Sequence, residues 1–200
     1  FLDTRATTGQ IKECLSLCGP SVEEVSKVGD DYVYNIEITG NRIDMVSIYG
    51  IAREAAAILP RFGIQASLRP RPAATARTEI PKKNLNKAKT LPLYIQDPQH
   101  LCNRLMGVIL DNVRLGPSPS YMRERLEKAG VRSLNNAIDI TNYVMLELGH
   151  PCHVFDYDRI KTGKLHAAVD AHGIHSVTGE ELSAIGKKRG LSVPEIQNQA

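Results

Sequence analysis

The stretch from Ser133 to Asp156, SLNNAIDITNYVMLELGHPCHVFD, constrains this chain most, because it reads as a capped amphipathic helix delivered into a tight, histidine-bearing loop. Ala137, Ile140, Val144 and Leu148 recur at spacings of three and four, so they share one helical face that needs a core to cover it, and Tyr143 widens the stripe. Asn136 reads as the N-cap, with Asp139 three residues on. Gly149 and then Pro151 end the helix, the glycine by accepting a left-handed position and the proline by being unable to continue it. The loop that follows, His150-Pro151-Cys152-His153-Val154-Phe155-Asp156, packs two imidazoles, a thiol and a carboxylate into seven residues. Pro151 fixes its own φ and biases His150 towards extended backbone, so covalent geometry helps to set the direction of His153. Two readings stand: a chemical site, or a turn in which Pro151 and Phe155 plug a core and His153 is a hydrogen-bonded core histidine.

Earlier in the chain, Thr7 and Gln10 form a capping box for a helix whose face carries Ile11, Leu15 and Cys18 and which ends at Gly19-Pro20. Cys14 and Cys18 share a face, and without other ligands nearby they read as small core hydrophobes rather than a metal pair. From Tyr32 to Thr39 the residues alternate as in a half-buried strand, with Tyr32, Tyr34, Ile36 and Ile38 on one side. Gly40-Asn41-Arg42 turns the chain, and Asp44 caps a helix buried through Met45, Ile48, Ile51, Ala52, Ala55 and Ile58 until Pro60. Prolines then recur through residues 60–100. Between Arg61 and Lys89 eight basic residues, Lys82 and Lys83 among them, stand against Glu79 alone. Such a segment is either a solvated, self-repelling linker or one that lies along a phosphate backbone.

Arg104 to Arg114 reads as a strand interrupted at Gly107. A helix follows, with Ser118 as N-cap, Pro119 at its first position, Met122, Leu126 and Ala129 inside and Gly130 at its end. Lys164–Val169 reads as a further strand and Glu180–Lys188 as a short helix. A hydrophobic share of 42% and a charged share of 24% are ordinary for a globular protein, and a net charge of +3 permits contact with nucleic acid without demanding it. The four cysteines form no C-x-x-C pair, so reduced thiols and a cytoplasmic setting are expected. No apolar run is long enough for a bilayer, so no membrane partner is expected.

Three ordered segments carry a family resemblance. NNAIDITNYVMLELGHPCHVFDYDRI resembles the editing domain of the beta subunit of bacterial phenylalanine–tRNA ligase. CNRLMGVILDNVRLGPSPSYMRERLEKAGVRSLNN resembles the part of that domain just before it. YNIEITGNRIDMVSIYGIAREAAAIL resembles the family's T-P-N-R-x-D segment and the helix after it. The resemblance implies an α+β fold of mixed sheets and packed helices, with a small N-terminal α/β module over 1–60, a basic, Pro-rich linker over 61–99 and a larger, incomplete editing-type domain over 100–200. It also implies a fragment of a longer subunit. Gly40 and Ile43 replace the prolines that flank the family's Asn-Arg pair, and no counterpart of the family's later glycine-rich run, glutamate and threonine is found before Ala200.

By the same resemblance, the activity is support of tRNA(Phe) aminoacylation together with hydrolytic editing of mischarged tyrosyl-tRNA(Phe). His153 is then the catalytic candidate, hydrogen-bonding water or substrate, Pro151 shapes the pocket wall and Phe155 backs it. Arg42, Lys82 and Lys83 are the candidate RNA-binding residues, although an Arg42–Asp44 pair closing the turn is the alternative for Arg42. ATP and Mg2+ belong to the whole enzyme and none is expected on this piece. The implied partners are the alpha subunit, tRNA(Phe) and a second beta subunit. Two other readings are an editing-inactive scaffold of the same complex and a zinc module built from His150, Cys152, His153, His172 and His175.

Overall fold

A computed structural model describes residues 1–69, 93–97, 99–159, 165–170 and 173–177. The chain forms two compact units, one from residues 1–81 and 114–154 and the other from 82–113 and 155–200. Helices and small sheets together make an α+β fold, as expected.

The first unit opens with β1 (Leu2–Thr4) and α1 (Thr8–Cys18). The capping box forms as read: Gln10 N donates to Thr7 Oγ1 at 3.2 Å and Thr7 N to Gln10 Oε1 at 2.9 Å, so two backbone donors at the helix start are satisfied. β2 (Ser21–Val28) and β3 (Asp31–Glu37) make an antiparallel hairpin, turning at Gly29 with φ of 62°. A 3-10 turn, Ile43–Met45, precedes α2 (Ile48–Ile58), and β4 (Ala66–Leu68) returns to pair antiparallel with β1.

The core lies between α1, α2 and the hairpin. It buries Cys14, Leu15, Val22, Ala55, Ile58 and Leu59, with Tyr34 and Ile36 packed on it from β3. Cys14 is inside and Cys18 is exposed, so only one of the two cysteines acts as a core hydrophobe. The N-cap of α2 is Ser47, whose hydroxyl accepts from Gly50 N at 2.9 Å, and not Asp44, which sits in the turn before it. Ile48 is therefore exposed at the helix start while Ala52, Ala55 and Ile58 are buried.

Two further helices complete this unit, α3 (Ser120–Lys128) and α4 (Asn136–Leu148). Met122 and Leu126 are the buried face of α3, and Ala129 is exposed. Lys128 Nζ lies 3.2 Å from Asp31 Oδ2, tying the end of α3 to the start of β3.

The second unit holds a three-stranded sheet of β5 (Leu93–Gln96), β6 (Leu165–Asp170) and β7 (Gly173–Val177), with β5 parallel and β7 antiparallel to the central β6. β6 coincides with the strand expected near 164–169. The strand expected over Arg104–Arg114 does not form. That run pairs with no strand among the described residues, and Met106, Val108 and Leu110 stand 65% to 75% exposed. Its composition favours a strand, but a strand is stable only when a neighbour takes up its backbone donors and acceptors. The helix expected at 180–188 lies outside the described residues. No helix among the described residues is long and apolar enough to cross a membrane.

Candidate functional site

Helix α4 delivers the histidine loop, and a buried carboxylate sets where α4 lies. Asp139, fully buried, accepts from Ser118 Oγ at 2.5 Å, Ser133 Oγ at 2.6 Å and Leu134 N at 2.8 Å, and from the Asn135 backbone. Burial alone pushes this carboxyl up, but the four donors together outweigh it and hold the group below its ordinary value. One side chain thus gathers Ser118 ahead of the α3 cap, the connection between the helices and α4 itself.

This polar anchor corrects three expectations. The stripe of α4 read as apolar and buried is not: Ile140 and Leu148 are 52% and 41% exposed, because the helix turns its Asp139 face inward. The N-cap is Asn135, whose Oδ1 accepts from Ala137 N and Ile138 N at 3.1 Å each, rather than Asn136. Asn136 instead bridges to the Arg114 carbonyl and the Gly116 N–H. Ser118 donates to Asp139 and does not cap α3, whose N-cap position is Pro119. Asn136 and Ser118 were read as caps from sequence; that one carboxylate joins Ser118 and Ser133 was not legible there.

Gly149 ends α4 in the left-handed conformation, φ 78°, its N–H donating to the Met145 carbonyl at 2.7 Å. A second reason also demands glycine: a Cβ at this position would lie 2.5 Å from the Val46 carbonyl oxygen and 3.2 Å from Ser47 Cβ. The start of the histidine loop is therefore seated on the turn that contains Arg42, a juxtaposition that the sequence did not announce. In that turn Arg42 donates to both carboxylate oxygens of Asp44, at 3.0 and 3.1 Å, and to Glu54 of α2 at 2.8 Å. Arg53 joins Asp44 at 2.8 Å. The hydrogen bond from Arg42, aided by the nearby positive charge, holds the Asp44 carboxyl below its ordinary value.

Beyond Gly149 the loop lies open. His150, Pro151, Cys152, His153 and Val154 are all exposed, and the Cys152 thiol is 3.5 Å from the His150 carbonyl oxygen. Phe155, which belongs to the second unit, is 38% exposed. The reading in which Pro151 and Phe155 plug a core and His153 sits inside it therefore does not hold. Lys82, Lys83 and His172 lie outside the described residues, as does the side chain of His175. Among the described residues no three His, Cys, Asp or Glu side chains come together to hold a metal ion.

Residues 101–194 match the model of the B3/4 domain, a match that takes in the whole histidine loop. The chain is 39% identical over 147 residues to the phenylalanine–tRNA ligase beta subunit of Carboxydothermus hydrogenoformans, covering 74% of this chain and 17% of that protein. It is 44% identical to the beta subunit of Clostridium tetani over the same shares, and 37% identical to that of Anaeromyxobacter dehalogenans over 84% of this chain and 19% of the relative. Over most of its length the chain is similar to phenylalanine–tRNA ligase beta subunits. It spans less than a fifth of the length of these relatives. The turn around Arg42 precedes the B3/4 region in sequence, yet its Val46 carbonyl lies against Gly149 at the head of the loop within that region.

Proposed function

We propose that this chain is part of the beta subunit of a phenylalanine–tRNA ligase and that its histidine loop serves hydrolytic editing of tyrosyl-tRNA(Phe). The observation that carries the reading is His153 held open to solvent on a proline-stiffened loop, four residues after a glycine that has no room to be anything else. A pocket selective for phenylalanine rejects an added hydroxyl only moderately, so a second, hydrolytic check has a physical purpose. The ester linking amino acid to RNA is activated, and its cleavage needs a well-placed water more than a protein nucleophile. His153 hydrogen-bonds that water or the substrate, since either ring nitrogen of an imidazole can donate or accept. Pro151 shapes the wall beside it. The products are free tyrosine and tRNA(Phe), with the water's oxygen in the new carboxylate.

Aminoacylation itself, with ATP and Mg2+, belongs to the assembled enzyme and its alpha subunit. Lys82, Lys83 and their basic neighbours contribute non-specific attraction to the tRNA backbone, an effect that weakens as salt rises. The test is deacylation of tyrosyl-tRNA(Phe) by the assembled enzyme, with phenylalanine attachment measured alongside. His153→Ala and Pro151→Gly are expected to lose tyrosyl-tRNA hydrolysis while charging with phenylalanine continues. Absence of hydrolysis in the unsubstituted enzyme would instead leave this chain as a scaffold.

A further inference from the structure

The turn at residues 42–47 lies between two glycines. On one side, a Cβ on Gly50 of α2 would collide with the Asp44 carbonyl oxygen and lie 2.9 Å from Met45 Cα. On the other, Gly149 rests against the Val46 carbonyl with no space for a methyl group. Little apolar burial holds the turn itself: Met45 is 1% exposed, but Ile43 and Val46 are 76% and 52% exposed. Its backbone hydrogen bonds are local, from Met45 N to Arg42 O at 2.9 Å and from Val46 N to Ile43 O at 3.2 Å. Besides Met45, and Ser47 at its end, which accepts from Gly50 N at 2.9 Å and Ile51 N at 3.0 Å, the charged quartet of Arg42, Asp44, Arg53 and Glu54 fastens it to α2.

We propose that Arg42 is a positioning residue for the histidine loop: its fork fixes the turn on α2 through Glu54, and the turn, through Val46, fixes the point at which α4 releases His150 to His153. The geometry stands independently of the editing reading, while the catalytic meaning of the inference rests on it. Close-packed contacts pass displacement on rather than absorbing it, so a shift of the Val46 carbonyl moves Gly149 and the loop behind it. Arginine suits the task because its planar fork grips two carboxylates at fixed angles, which a lysine ammonium does not.

Cys152 provides a reporter inside the loop, and Cys14, buried in the core, provides an internal control. In the complete beta subunit assembled with its alpha partner, Arg42→Met and Arg42→Lys are compared with the unsubstituted protein by peptide-mapped iodoacetamide alkylation. The expected result is a change of at least threefold in the Cys152 rate for Arg42→Met and a smaller change for Arg42→Lys, with Cys14 protected throughout. Hydrolysis of tyrosyl-tRNA(Phe) then falls in kcat and not in KM. An unchanged Cys152 rate overturns the proposal, and so does a rate that rises together with that of Cys14, since general loosening then explains it. If the unsubstituted enzyme hydrolyses no tyrosyl-tRNA, the editing reading fails while the Cys152 rates still decide the positioning role.

Discussion

Asp139 shows how much one buried group organises. Its folded-state carboxyl is held below its ordinary value of 3.8, so its contribution to stability is fully present above that pH and is lost as pH falls through the lower, folded value. Thermal melts should therefore show the unsubstituted protein losing stability below about pH 3.8 more steeply than Asp139→Asn does. At neutral pH the same substitution is expected to cost at least about 2 kcal/mol in urea unfolding, because the amide oxygen accepts from two donors at most and the NH2 group, itself a donor, faces the other two. A null result at both pH values would mean that the cluster is only an arrangement of convenience. Gly149→Ala tests the other end of the helix: left-handed backbone alone costs about 1–2 kcal/mol for an alanine, and the overlap with Val46 adds to it. Both residues were visible in the sequence, Gly149 as a helix stop and Asp139 as an acidic residue near a helix start. Their deeper roles were not, because each depends on a partner far away in the chain, at Val46 and at Ser118.

At the scale of elements, local chemistry predicted what local chemistry decides. The capping box of α1, most of the strand read at 32–39 and the later part of the inward face of α2, with Ala52, Ala55 and Ile58, follow from spacing and side-chain type alone and form, while Ile48 at the start of that face is exposed. Thr7→Ala should accordingly cost about 1 kcal/mol, measured by denaturant unfolding, and an unaltered midpoint would show that the box is decorative. The apolar stripe of α4 misled because periodicity reports which residues could share a core and not whether a neighbour arrives to form one. Ile140 and Leu148 are exposed while the Asp139 face turns inward. Residues 104–114 failed as a strand for the same reason, since pairing is a property of two segments.

For the whole molecule, chain order and spatial order part company. Residues 114–154 pack with the N-terminal stretch, and the ion pair of Lys128 with Asp31 joins residues 97 positions apart. The candidate site inherits this arrangement. Its histidine was legible as a residue on a stiffened loop, but its seat on the turn at 42–47 required the fold. The purpose of the loop turns on whether it acts on misacylated tRNA. The most direct measurement is the single-turnover rate at which the assembled enzyme deacylates tyrosyl-tRNA(Phe), set against phenylalanyl-tRNA(Phe), with and without His153→Ala. The prediction is rapid release of tyrosine only, slowed by about a hundredfold or more in the variant, in line with the loss of a positioned hydrogen-bonding catalyst. Equal rates for the variant and the unsubstituted enzyme would contradict it.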